Sequence, residues 1–260
     1  MASRSSTKAG PSAAGMGTPS VTSLDFMAIG AHPDDVELGA GGTLLRLASL
    51  GRKGVVVDMT DASMGTRGTP EIRAREAAAA ARVLKVERVN LGLPDGRLAD
   101  GWEAQKRLVE QIRRFRPKVV ITHHRSEEHP DHEATASIVK AACFKAGLAK
   151  LDCGGEPFRP GRIFHFLGFE LHEPSFCVDI TPFWDRKLKA VLSYRSQFHN
   201  PEAKRFAGRT DLASPAFLEA VEVRNRFWGA RIRRRHAEAF VSLELPEIND
   251  ITALGTERFS

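Results

Sequence analysis

The sequence predicts an α/β protein with a Rossmann-like, doubly wound and mostly parallel sheet. Three observations point there. Apolar runs of strand length alternate with segments of helical period through the first half of the chain. The first run, Phe26–Ala31, is apolar throughout, as a strand buried on both faces is. Three polar loops, beginning at His32, Thr60 and His123, each follow a strand. In a parallel sheet such loops open on one edge, outside the carboxyl ends of the strands, where ligands bind.

The elements follow in order. Phe26–Ala31 reads as a buried strand that stops abruptly at His32. Glu37–Leu50 reads as a helix with Leu38, Leu44, Leu45 and Leu47 on its apolar side, and Gly51 and Gly54 bracket the turn out. Val55–Met59 is the second strand. Pro70 suits the first turn of a helix, and Glu71–Val86, with five consecutive alanines, is strongly helical. Arg88–Leu91 is a short third strand, and Leu93-Pro-Asp-Gly96 a turn. Trp102–Arg116 carries Leu108, Val109, Ile112 and Phe115 at helical spacing, and Lys118–Thr122 is the fourth strand. The segment His123–Pro130 is polar and rich in histidine, and a helix over about Asp131–Ala149 follows. Right-handed crossovers then place the first four strands in parallel.

The second half is less regular. Lys150–Pro160 is a Gly/Pro-rich linker. Ile163–Phe169 and Phe176–Val178 read as strands, and Pro182–Tyr194 as a helix. Residues 196–213 are loop-like. Pro215–Arg235 is a long basic helix and Ala239–Leu243 a last strand. No internal repeat is visible. Residues 24–245 are expected to form one domain, between a disordered extension over 1–23 and a tail over 246–260.

Composition narrows the class. The chain has 260 residues, 42% hydrophobic and 27% charged, as a soluble globular protein has. No apolar run approaches the roughly 20 residues needed to cross a bilayer, so no membrane role is expected. The formal charge of +6 reads as a solvated basic surface or as preference for an anionic small substrate. Three cysteines, Cys143, Cys153 and Cys177, suggest no disulfide framework, and a reducing cytoplasm is expected. Residues 1–23 lack the apolar core of a secretory signal. A disordered extension is the reading, with an organellar transit peptide as the alternative.

The chemistry concentrates in two clusters. His32, Asp34 and Asp35 end the first strand, and His129-Pro-Asp-His132 opens the helix after the fourth. Polar groups at the rim of a core need partners or a metal. Two histidines and one carboxylate suit zinc with an open position, or ferrous iron as a facial triad. Adjacent carboxylates diverge, so one of Asp34 and Asp35 ligates readily beside His32 and the other faces the attacking water. Of His129 and His132, one touches the metal and the other serves an oxyanion or a leaving amine. Asp131 is placed to orient one of these imidazoles.

His32-Pro-Asp-Asp35 after an apolar strand, with His129-Pro-Asp-His132 further on, resembles the LmbE/PIG-L family of zinc-dependent N-acetylglucosaminide deacetylases. The resemblance covers roughly residues 24–245. It implies His32, Asp35 and His132 as metal ligands and Asp34 as general base. It implies His129 as the group that stabilises the tetrahedral intermediate, with Asp131 supporting it. It also implies a homo-oligomer, often a hexamer. Ala31-His-Pro-Asp-Asp-Val-Glu-Leu-Gly39, Gly65-Thr-Arg-Gly-Thr69, Glu71-Ile-Arg73, Pro174-Ser-Phe-Cys-Val-Asp179 and Tyr194-Arg-Ser-Gln-Phe198 are similar to the bacillithiol-pathway branch, which acts on N-acetylglucosaminyl malate. The mycothiol branch usually carries Glu where this chain has Val36. By the same resemblance Arg73 is a substrate-binding arginine. Tyr194 is expected either at the mouth of the pocket or in the core.

Three rivals stand beside this expectation. One is a deacetylase of another N-acetylglucosaminide, such as a chitobiose-like sugar or a mycothiol-type or antibiotic precursor. Another is an iron-dependent oxygenase on the same ligand triad. The last is a basic, metal-stabilised binding module. Arg231-Ile-Arg-Arg-Arg-His236 is strongly basic but reads as a solvated helix end. No aromatic interleaving accompanies it, so no nucleic-acid partner is expected.

Overall fold

The computed structural model describes residues 23–199, 208–245 and 247–254. The expected extension over 1–23, apart from Ser23, lies outside these residues, as do parts of the 196–213 loop and of the 246–260 tail.

Seven strands form one sheet in the order β3-β2-β1-β4-β5-β7-β6. β1 (Phe26–Gly30) is buried at every residue because it is sandwiched between β2 (Gly54–Thr60) and β4 (Val119–His123), parallel to both. β3 (Glu87–Leu93) and β5 (Arg162–Phe166) extend the parallel set on either side. β7 (Ala237–Ser242) runs antiparallel to β5, and β6 (Phe176–Asp179) antiparallel to β7. The order reverses between β1 and β4. A crevice therefore opens beyond their carboxyl ends.

Helices cover both faces. α3 (Trp102–Phe115) and α4 (Pro130–Ala146) pack on one: Leu108, Val109 and Ile112 meet Ile138 and Val139 over Met27, Ile29 and Val57. On the other face α1 (Asp35–Ser49) buries Val36, Ala40 and Leu44 against Phe26, Val56 and Phe166. α2 (Pro70–Leu84) and α5 (Trp184–Val191) lie beside it, and α6 (Pro215–Arg231) packs near β7. No helix among the described residues is long and apolar enough to cross a membrane.

Most boundaries differ from the sequence expectation by a residue or more, and α5 is shorter than expected at both ends. α1 begins at Asp35, two residues early, because Asp34 serves as its N-cap with φ 114°. α4 stops at Ala146, not near Ala149, because the buried Arg113 guanidinium collects the carbonyls of Ala146, Leu148 and Leu151 as the chain turns away. β5 ends at Phe166 rather than Phe169. α6 ends at Arg231 rather than Arg235. There the chain folds back over Gly229, whose missing Cβ would lie 2.7 Å from the Arg234 carbonyl, and Arg233 adopts a left-handed φ of 59°.

Candidate metal and catalytic centre

The first cluster is delivered by the end of β1. The chain leaves the sheet at Ala31, and His32, Asp34 and Asp35 form the corner into α1. Asp35 closes this corner on itself, since its Oδ2 accepts the His32 N–H at 2.7 Å. Asp34 is 4% exposed and holds a backbone conformation costly for any residue with a side chain. The second cluster comes from β4 and the entry of α4. His129 caps that helix through Nδ1, which accepts the Asp131 N–H at 3.2 Å.

The switch point brings the two clusters together. His32 Nδ1 lies 3.4 Å from Asp35 Oδ2, and His132 Nε2 lies 3.4 Å from Asp35 Oδ1. One ligand atom from each of His32, Asp35 and His132 falls within 4.8 Å of the others. The remaining ring nitrogens are held from behind. His32 Nε2 meets Asp95 Oδ1 at 3.1 Å and Asp131 Oδ2 at 3.4 Å, while His132 Nδ1 meets Glu127 Oε2 at 2.8 Å. Metal-ligating imidazoles are held in this way, the second nitrogen fixed by a carboxylate. Two imidazoles and one carboxylate, so oriented, fit a divalent cation such as zinc or ferrous iron. His32–His129–Asp131 and His123–Glu127–His132 also converge. Asp131 and Glu127, however, are engaged behind His32 and His132 in those sets.

Electrostatics separates the two adjacent carboxylates. Burial pushes the Asp34 carboxyl up, Arg73 opposes this and Asp35 reinforces it, leaving Asp34 at about 7. Asp35 is as deeply buried, but the charges of His132 and His123 outweigh the burial and hold it well below the usual carboxylate range. Burial also disfavours the charged imidazoles. Hydrogen bonds that Asp131, Asp35 and Asp95 accept nonetheless push His32 up to about 12, and Asp35 with Glu127 pushes His132 up to about 10. Burial and the nearby His132 and His32 lower His129.

A cavity of about 490 Å³ opens over this cluster. His32, Asp34, Asp35, His129 and His132 line it, together with the apolar Leu38, Phe166, Phe169 and Phe217. Among the described residues, Arg73 and Arg224 are its lining arginines. Arg73 is 4% exposed and donates to the Pro33 carbonyl and, at 3.2 Å, to Asp34 Oδ2. Its Nε is buried without a partner.

Two expectations are corrected. Tyr194 does not line the cavity. It is fully buried, and its hydroxyl donates to Glu37 Oε1 at 3.1 Å, beside the Arg88 that joins Glu37 to Asp58. Asp131 does not hydrogen-bond the His129 ring through its carboxylate; it lies against His32 and accepts the N–H groups of Gly96 and Leu98.

Asp95, Glu127 and His123 were not singled out from sequence. Asp95 belongs to the Leu93–Gly96 turn, which looked like a turn and nothing more. Its position after a parallel strand, on the edge shared by the other polar loops, was the available signal. His123 ends β4 with Nε2 3.1 Å from Asp35 Oδ2, and its ring stacks on His132 at 4.0 Å.

The fold and site thus define a doubly wound α/β protein with a His/Asp centre for a divalent cation at its topological switch point. Residues 27–143 match the profile of the PIG-L family, GlcNAc-PI de-N-acetylase. The chain is 32% identical over 185 residues to the diacetylchitobiose deacetylase of Thermococcus kodakarensis, covering 64% of this chain and 67% of that one. A conserved protein of Thermus thermophilus superposes with a TM-score of 0.78 at 40% identity, over 87% of this chain and 98% of the other. The N,N'-diacetylchitobiose deacetylase of Pyrococcus horikoshii superposes with a TM-score of 0.72 at 29% identity, over 84% and 83%. The chain belongs to the PIG-L family and is an enzyme of the amide-cleaving class.

Proposed function

We propose that the protein is a zinc-dependent hydrolase that removes the acetyl group from an N-acetylglucosamine conjugate. The observation that carries this reading is the convergence of His32, Asp35 and His132 beside the buried carboxylate of Asp34, in the lining of a cavity. In this reading His32, Asp35 and His132 hold the cation. When bound, it polarises the amide carbonyl and brings a water's pKa down to about 7.

The chain's own groups supply the proton transfers. Asp34, ionised, takes a proton from the attacking water and returns it to the departing amine. Its elevated proton affinity suits a base that works near neutral pH. His129 stabilises the developing oxyanion. Because its Nδ1 accepts the Asp131 N–H, the neutral ring carries its proton on Nε2, as a donor. Asp131, Asp95 and Glu127 fix the ligating imidazoles from behind.

The finer reading is N-acetylglucosaminyl L-malate, the substrate of the bacillithiol pathway. Arg73, with Nε unpartnered, and Arg224, in the cavity lining, are the cations with which the malate carboxylates pair. Residues 24–245 act as one catalytic domain, in a cytoplasmic homo-oligomer.

Acetate release tests the reaction on N-acetylglucosaminyl malate, N,N'-diacetylchitobiose and free N-acetylglucosamine, with metal-stripped and zinc- or ferrous-loaded protein. Metal-dependent release that is greatest for the malate conjugate is expected. Release greatest for chitobiose would remove the malate assignment. No release, with oxygen consumed by the ferrous form, would replace the hydrolase by an oxygenase.

A further inference from the structure

A fully buried ion pair lies outside the cavity, in the less regular half of the chain. Lys187 of α5 is 1% exposed and Glu238 of β7 is 3% exposed, and Lys187 Nζ lies 2.5 Å from Glu238 Oε1. Neither residue lines the cavity. Buried charges persist where their remaining donors and acceptors are satisfied. Here the satisfying groups belong to the main chain of α1. Lys187 Nζ donates to the Leu38 carbonyl at 2.8 Å, with Asn225 Oδ1 at 3.3 Å. Glu238 accepts the N–H of Gly42 at 2.9 Å and of Thr43 at 2.7 Å.

Leu38 and Gly42 are four apart, the two ends of one helical rung. The ion pair bridges that rung from outside, with Lys187 on its carbonyl end and Glu238 on its amide end. Arg224 adds a second donor to the Leu38 carbonyl at 2.7 Å. Gly42 lets Ile180 pack directly against this turn, since a Cβ there would lie 2.7 Å from the Ile180 side chain. The clasped turn leads straight to the site, because the Leu38 N–H donates to the Asp34 carbonyl at 3.0 Å. Asp34 caps α1 at φ 114° without a side-chain cap bond. Such a conformation is kept only where the surroundings over-determine it.

We propose that Lys187 and Glu238 are positioning residues, which clasp the Leu38–Gly42 rung of α1 and thereby fix Asp34 and Asp35 relative to His32 and His132. The inference rests on the reading of Asp34 as base and Asp35 as ligand. It assigns a task to α5 and β7, which contribute neither ligand nor base. Their charges hold the first turn of α1 at the angle the site needs.

The test is the double variant Lys187→Met/Glu238→Leu, compared with wild type by thermal unfolding, zinc affinity in chelator competition, and steady-state kinetics. Replacing a buried pair with apolar side chains is often neutral for stability, while the rung loses Lys187 and Glu238 and keeps Arg224 on its carbonyl end. The expected result is a folded protein whose zinc affinity falls roughly 10- to 100-fold. Its kcat falls by about 100-fold, as for a misplacement on the order of 1 Å, with KM little changed. Lys187→Gln, which removes the charge but keeps a donor, is the second variant and is expected to lie between the two. A folded double variant with wild-type zinc affinity and kcat would overturn the proposal. So would loss of the fold in both variants, which would make the pair a stability element. Zinc affinity needs no substrate. A wild-type protein that releases no acetate, beside a double variant with weakened zinc binding, therefore refutes the reaction and leaves the positioning role standing.

Discussion

Substituting Arg73 by Gln removes the positive charge that faces Asp34 and keeps a polar side chain of similar length. Arg73 Nη2 lies 3.2 Å from Asp34 Oδ2. At that separation, and at an effective dielectric constant of about 20, two unit charges attract by about 5 kcal/mol. Part of this offsets desolvation, and a carboxylate beside an arginine is typically lowered by about 1–3 pH units. Burial already pushes Asp34 up, to about 7 with Arg73 in place. In the proposed mechanism Asp34 works ionised, so removing Arg73 raises its proton affinity and moves the acid limb of kcat/KM to higher pH, by about 1–3 units. Well below that limb, activity falls by roughly 10- to 1000-fold, and it recovers as the pH rises. A cation on the ligands lowers the absolute position in both proteins and cancels in the comparison. The assay is kcat/KM for acetate release across the pH range, with zinc saturating. The plateau at high pH separately reports any loss of substrate contact through Arg73. An acid limb that stays put in Arg73→Gln would refute the assignment of Asp34 as the titrating base.

Three further outcomes are expected. Zinc uptake by the metal-free protein releases protons at neutral pH, because His32 and His132 are held cationic and must become neutral to ligate. Calorimetry in buffers of different ionisation enthalpy reads the number, apparent affinity rises with pH, and release of no proton would contradict the site. Asp131→Asn weakens zinc binding by roughly 10- to 100-fold, through the loss of charge behind His32 Nε2; chelator competition measures it. Tyr194→Phe leaves Glu37 short of a buried donor and costs about 1–3 kcal/mol of stability in denaturant unfolding. KM stays at the wild-type value, and a raised KM would return Tyr194 to the substrate.

The parallel core was legible because its strands are short and mostly apolar, and because each of the first four is followed by a helix. The paired motifs His32-Pro-Asp-Asp35 and His129-Pro-Asp-His132 were legible because both sit just past strand ends, where parallel topology makes distant loops neighbours. Groups with no local signature were lost. Asp95 sits in a turn whose Pro-Asp-Gly sequence has a sufficient explanation in turn formation. Glu127 looks like any acid in a polar loop until His132 Nδ1 is seen 2.8 Å from it. Tyr194 stood out by its rarity in the sequence, but rarity does not report direction, and its hydroxyl turns inward to Glu37. Least legible was the clasp on α1. It joins Gly42 to Glu238 across 196 positions, and neither periodicity nor spacing reaches that far.

In the proposed mechanism Asp34 works on the water while His32, Asp35 and His132 hold the cation. Asp34→Asn tests it most directly, when zinc content and acetate release are measured on the same preparation. One zinc per chain is expected, as in the wild type, with turnover reduced by roughly 10²- to 10⁴-fold. A variant that keeps near-wild-type turnover, or that loses its zinc along with its activity, would contradict it.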